Sequence, residues 1–199
     1  MVGLRQLPSA MSLRSDLITK HIADISAFNK HVLEAVERQR EDAAVKAMPD
    51  ANTVVIEIER VLRGHQATLD SLAEAYGASG EGVLKQAVTA LAGAAAGIYD
   101  KLRESEVTRN LRDDYTALAL GSMGYTAMHA FALAVGEARM AEVAETHLKE
   151  ITPLQVQISR LIPSTTVAEL AAQAEGEFAV NANSAMESVE RTQQAWKGL

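Results

Sequence analysis

Five side chains stand where this chain could assemble a polar site within apolar surroundings: Asn29, His65, Tyr125, His129 and His147. His129 and His147 lie nine positions to either side of Ala138. The stretch from Tyr115 to Ile151 reads as two apolar helices folded back at Gly136-Glu137-Ala138. Equal distances from a turn put two residues at one level of an antiparallel pair, here ~13.5 Å from the turn at 1.5 Å per residue. Asn29 and His65 are each 18 positions from residue 47, in an earlier turn, so ~27 Å along the axis. Turns at the same end would separate the two pairs by more than ~13 Å; turns at opposite ends of a bundle ~40 Å long bring all four to one plane. Three inward imidazoles there could hold one zinc, copper or iron ion, with Asn29, Tyr125 or water as a further ligand. They could equally form a structural network with Tyr125, Ser122, Thr126 and Asn29, since buried polar groups must find partners. His31 falls at the edge of its stripe and ranks below the others as a ligand.

The helices that must carry these residues are legible from spacing. Residues 1–11 read as a loose arm. A first helix over 12–46 carries Ile18, Ile22, Ile25, Val32 and Val36 three or four apart. Met48-Pro49-Asp50-Ala51-Asn52 breaks it, because proline cannot continue the hydrogen-bond ladder, and Asp50 or Asn52 can cap the next helix. That second helix, over 53–76, aligns Val54, Ile58, Val61, Leu62, His65, Leu69, Leu72 and Tyr76, and the Gly77–Gly80 segment stops it. A crossover helix is expected over 81–104. Its Gly93-Ala-Ala-Ala-Gly97 run is thin enough to lie close against a neighbour.

The third helix, 107–135, is apolar nearly all round from Tyr115 onward, so it is buried on several sides or forms a subunit contact. The fourth, 139–161, is expected to bend at Pro153 and end at Pro163. A short helix over 167–173 comes after it. A tail helix over 184–197 would be either a polar tail or cap, or an arm docked on a second subunit. The expected organisation is a flexible arm (1–11), one bundle domain (12–162) and a C-terminal helical extension (163–199).

The totals agree with an all-α chain. Its 199 residues suffice for one domain with a sizeable core. Aromatic residues are only 4%, and alanine and leucine abound, which favours helix over sheet. A net charge of −7 with no basic stripe argues against nucleic-acid binding. The absence of cysteine excludes disulfides, thiolate metal sites and cysteine nucleophiles and fits a reducing cytoplasm. The N-terminus lacks the apolar core of a signal peptide. The run from Ala87 to Tyr99 is too short to span a bilayer. A cytoplasmic protein with no membrane contact is expected.

Two hairpins entering from opposite ends, joined by a crossover of bundle length, resemble the ferritin-like superfamily. Members of that superfamily hold two metal ions with a glutamate on the first and third helices and Glu-x-x-His on the second and fourth. Over about 13–162 the chain is similar to small bacterial ferritin-like proteins linked to stress responses. The segment Asp24-Ile-Ser-Ala27-Phe-Asn29-Lys-His31 carries the likeness on the first helix. Asn29 stands in the place of the glutamate there. Leu62 and Ala144 stand three residues before His65 and His147, where the paired glutamates would be, and His129, Tyr125 or Thr126 holds the third-helix place. Carboxylates bridge two cations and neutralise their charge; imidazole does neither. No di-iron centre is therefore expected, nor ferroxidase or oxygenase activity.

His31-x-x-Glu34 and His147-x-x-Glu150 read better as solvated faces than as ligand pairs. Glu57 and Glu59 read as surface residues, and Met11, Met123, Met128 and Met140 as core filler. The expected fold is an all-α, ferritin-like four-helix bundle. Two functions remain open: a decayed dimetal protein that keeps one mononuclear, histidine-rich metal site, or a non-catalytic structural or interaction module with a buried His/Tyr/Asn network. The apolar third helix predicts a homodimer or higher homo-oligomer.

Overall fold

The computed structural model describes residues 10–78 and 107–197. The described residues form six helices and no strand: α1 (Ala10–Glu41), α2 (Ala43–Ala47), α3 (Pro49–Ala75), α4 (Val107–Val135), α5 (Ala138–Ala174) and α6 (Ser184–Lys197). The expected crossover over 81–104 and most of the N-terminal arm lie outside the described residues.

The first stripe is buried as its spacing predicts: Ile18, Ile22, Ile25, Val32 and Val36 are all in the core. The helix begins earlier than expected, since Ala10 and Met11 are already helical. It also ends earlier. Asp42 breaks it and caps the one-turn α2, its side chain accepting from the Ala44 amide. Neither Asp50 nor Asn52 caps the next helix. Pro49 itself starts α3, where its missing N–H costs nothing and its fixed φ suits the first turn.

Contacts at the helix ends set the topology. Arg14, near the start of α1, donates to the Val135 carbonyl at 2.6 Å and to Glu137 at 2.5 Å. Tyr76, just past α3, donates its hydroxyl to Glu137 at 2.5 Å. At the other pole, Gln39 near the end of α1 donates to Asp114 near the start of α4, 2.9 Å. The start of α1, the end of α3 and the α4–α5 turn therefore share one pole. The turn between α1 and α3 lies at the opposite one. Helices α1 and α3 pack together, as do α4 and α5; α1 also lies on α4, and α3 on α5.

The α4–α5 turn is built on Gly136, at φ +73°. That conformation lets Gly136 and Glu137 donate to the Leu133 and Ala132 carbonyls and close the end of α4.

Helix α5 corrects the expected layout. It does not stop at Pro163 but runs to Ala174 with Pro153 and Pro163 inside it. The short helix over 167–173 is its last part, and the expected boundary at 162/163 falls mid-helix. The start of α4 holds it there. Thr108 donates to Thr165 at 3.1 Å, and the Thr108 amide donates to Glu169 at 3.3 Å. That carboxylate satisfies one of the amides a helix N-terminus leaves unpaired. The tail helix α6 exists and packs on α5.

Two burial expectations are overturned. Glu59 is buried, held by Arg40 at 2.9 Å and Arg63 at 2.8 Å. Met128 and Met140 fill the core, whereas Met123 and Met11 are exposed.

Candidate functional site

The residues expected to form the site divide into three groups. His65 from α3, Tyr125 from α4 and His147 from α5 come together and are almost fully buried. The two imidazoles stack with centroids 3.7 Å apart and planes 8° from parallel. The Tyr125 ring meets both edge-on, 5.6 Å from His65 and 5.0 Å from His147. All three residues sit about ten positions from their helix ends at the α4–α5 turn, so ~15 Å from that pole.

Both nitrogens of His65 are engaged. Nε2 lies 2.8 Å from Glu150 Oε2, and Nδ1 lies 3.4 Å from the Tyr125 hydroxyl. A carboxylate accepts and a phenol donates, so the partners select the Nε2–H tautomer. Burial holds the Tyr125 hydroxyl well above the usual phenol range, with the Glu150 charge adding to the effect, which keeps it a donor. Burial alone lowers His65 to about 4. His147 is lowered to about 3, first by burial and then by His65, against an opposing pull from Glu150. Both rings are therefore neutral at pH 7. His147 Nδ1 is buried and has no hydrogen-bond partner among the described residues.

Asn29 does not join them. It is buried, and its amide donates to the Leu62 carbonyl and to Gln66 Oε1, both at 3.0 Å. Gln66 in turn donates to Ser26 at 2.9 Å and Asp70 at 2.8 Å. Asn29 thus serves the α1–α3 seam one turn from His65, with its donors spent on helix backbone and a neighbouring amide. Leu62 and Ala144, where the resemblance would place the paired glutamates, are buried core residues.

His129 stands half-buried on α4. It acts electrostatically on Glu145 and contributes nothing to either shifted imidazole. His31 is also half-buried. The expected three-histidine level thus reduces to a pair. Among the described residues, no three His, Asp or Glu side chains are placed to hold a metal ion.

Glu150 is the residue whose contact with the site the spacing did not show. Its side chain is 51% exposed, as a solvated-face residue should be, yet its carboxylate reaches back to His65. The signal was present: His147 and Glu150 are three apart on one helix and share a side. What the spacing omits is that His65, from another helix, lies between them.

Two spaces adjoin the cluster. A cavity of about 10 Å³ lined by Asn29, Leu62, Gly121, Tyr125 and Ile151 has room for at most a single water. A surface cleft of about 320 Å³ opens over His65 and His147, walled by Thr68, Glu142, Thr146 and Glu150. The larger space at the cluster thus reaches the imidazoles from outside, past two carboxylates.

Compared with known proteins, the chain matches no protein-family model, no curated protein and no solved structure.

Proposed function

We propose that this chain is a ferritin-like four-helix bundle that works as a non-catalytic interaction module, its former metal level converted into a structural hydrogen-bond network. The kinship draws support from the two hairpins entering from opposite poles. The loss of metal chemistry draws support from one observation above all: His65 spends both its nitrogens on Tyr125 and Glu150. A ligand imidazole needs a free lone pair. Here the Nδ1 lone pair faces a phenol that burial keeps protonated, and Nε2 carries the proton given to Glu150. The neighbouring ring is stacked flat, so the nitrogen lone pairs of the two rings run side by side instead of converging on a common point. The places that would supply bridging carboxylates hold an amide already bonded to backbone, a leucine and an alanine. None of them can neutralise a pair of cations.

A second reading rests on His147. Its unpartnered Nδ1 departs from a fully satisfied network, and the cleft above it carries two carboxylates. A single divalent ion held by His147 and Glu150 would use both features.

Metal analysis decides between them. Protein purified without an affinity tag is assayed as isolated and after incubation with zinc, copper and iron salts. The network reading expects no stoichiometric metal. One ion per chain, lost on His147→Ala but kept on His129→Ala, would establish the second reading in its place.

A further inference from the structure

Helix α4 carries a face that nothing in the chain's charge pattern explains as a solvated surface. From Tyr115 to Gly136 there is no Asp, Glu, Lys or Arg. The helix is long and apolar enough to cross a membrane by length and composition, yet only 33% of its most apolar window is buried. Thr116, Leu120, Met123, Ala127, Ala130 and Ala134 line one side of the helix, with Leu120 exposed to 42% and Met123 to 63%. Among the described residues this face has no partner, and contiguous exposed apolar patches mark contact sites.

The spacing of that face suits a helical partner, with the exposed Thr126 and Leu133 flanking it. The six residues succeed one another at steps of four, three, four, three and four. This is the 3.5-residue repeat with which one helix meets another. Beside the seam, a mostly apolar groove of about 240 Å³ between α1 and α4, lined by Ile25, Phe28, Leu120 and Ala127 with His21 and Asp24 at its edge, runs toward α1.

The order of sizes identifies the partner itself. We propose that two copies of this chain associate antiparallel along α4. Rotated about a two-fold axis at the level of Tyr125, the seam faces itself with Leu120 opposite Ala130 and Met123 opposite Ala127. Large side chains meet small ones in both halves, the self-complementarity an isologous contact requires. A parallel pairing would set Leu120 against Leu120 and leave alanine facing alanine at the other end. Charge points the same way. With a net charge of −7, two copies repel over most of their surfaces, and this uncharged face lets them meet without opposing like charges. The proposal deepens the interaction-module reading but does not share its test, since metal content and association are measured separately.

Light scattering of the full chain at micromolar concentration is expected to give the mass of a dimer. Met123→Glu should give a monomer with unchanged helical circular dichroism, because residue 123 is exposed and its loss leaves the core intact. Leu133→Glu, equally exposed but off the seam, should remain dimeric. Because the chain has no cysteine, orientation can be read by crosslinking. An equimolar mixture of Leu120→Cys and Ala130→Cys should form disulfide-linked dimers under mild oxidation, and neither variant should do so alone. Crosslinking of Leu120→Cys with itself would overturn the antiparallel seam. A monomeric parent chain, or one that instead co-sediments with phosphatidylcholine vesicles, would overturn self-association altogether.

Discussion

His65 and His147, on helices that reach the core from opposite poles, lie face to face with their centroids 3.7 Å apart. Two protonated rings could not hold that position in a buried setting, because the charges would be close together and poorly solvated. The stack therefore excludes double protonation, and burial favours the neutral form of each ring.

Stability should accordingly depend on pH in one direction. An unfolded histidine titrates near 6.5, whereas the folded values are about 4 for His65 and about 3 for His147. Between these values the unfolded chain binds more protons than the folded one, so stability is complete above pH 6.5 and falls as pH drops toward 4. The loss is on the order of 3 kcal/mol per imidazole. Urea unfolding at pH 7.5, 5.5 and 4.5 measures it, and His147→Leu should flatten the profile. A stability that rises on acidification would contradict the buried, neutral stack.

Removing the Tyr125 hydroxyl leaves His65 Nδ1 without its donor in a buried place. Tyr125→Phe should lower stability by about 1–2 kcal/mol while keeping the helical content. Nitrogen NMR should show His65 in the Nε2–H form in the parent chain. Glu150→Ala should broaden or shift that signal while leaving the Tyr125 contact in place. An Nδ1–H tautomer in the parent would rule out the network as drawn.

The buried Glu59 offers a test by asymmetry. Its carboxyl lies below the usual range: burial, the largest influence, raises it, but hydrogen bonds from Arg63 and Arg40 more than offset that. Both arginines are about half exposed and can return to water. Glu59→Leu should therefore cost at most about 1 kcal/mol, whereas the double change Arg40→Ala, Arg63→Ala leaves a buried charge alone and should cost about 3 kcal/mol. Equal costs, measured by chemical denaturation, would show that the carboxylate is solvated after all.

Two glycines three positions apart on α4 should respond oppositely to alanine. A Cβ at Gly121 would stand 3.2 Å from the Phe28 ring, which is packed in the core. One at Gly124 would meet only the terminal methyl of Ile25, at 2.9 Å, beside the groove that can receive it. Replacing a mid-helix glycine by alanine favours the helix by roughly 0.5–1 kcal/mol. Gly124→Ala should thus be neutral or slightly stabilising, and Gly121→Ala destabilising by about 1 kcal/mol or more. Thermal melts that reverse this order would show that Phe28 yields more readily than Ile25.

Much of the helical plan is legible in the residues alone. The bounds of α4 and the turn at Gly136 come from an apolar run ending in a glycine, and such signals are local. Helix α5 misleads for the opposite reason. Pro163 is a local stop signal, but Thr165 and Glu169 are tied to Thr108 from another helix, and a distant hydrogen bond cannot be read from neighbouring residues. Glu59 is the same case, a charged residue made tolerable in the core by two arginines, one of them on another helix.

For the site, the sequence alone determined how far along its own helix each candidate residue stands, because the 1.5 Å rise of a helix is a property of the backbone. That was enough to pair His65 with His147, but Tyr125 meets them in place of His129, one turn away on the same helix. It could not determine rotation or partners within that plane. Tertiary packing turned Asn29 toward the Leu62 carbonyl, left His129 half-exposed and folded Glu150 back onto His65. Each of those outcomes depends on which neighbour satisfies a buried donor or acceptor, and such neighbours are chosen only when separate helices meet.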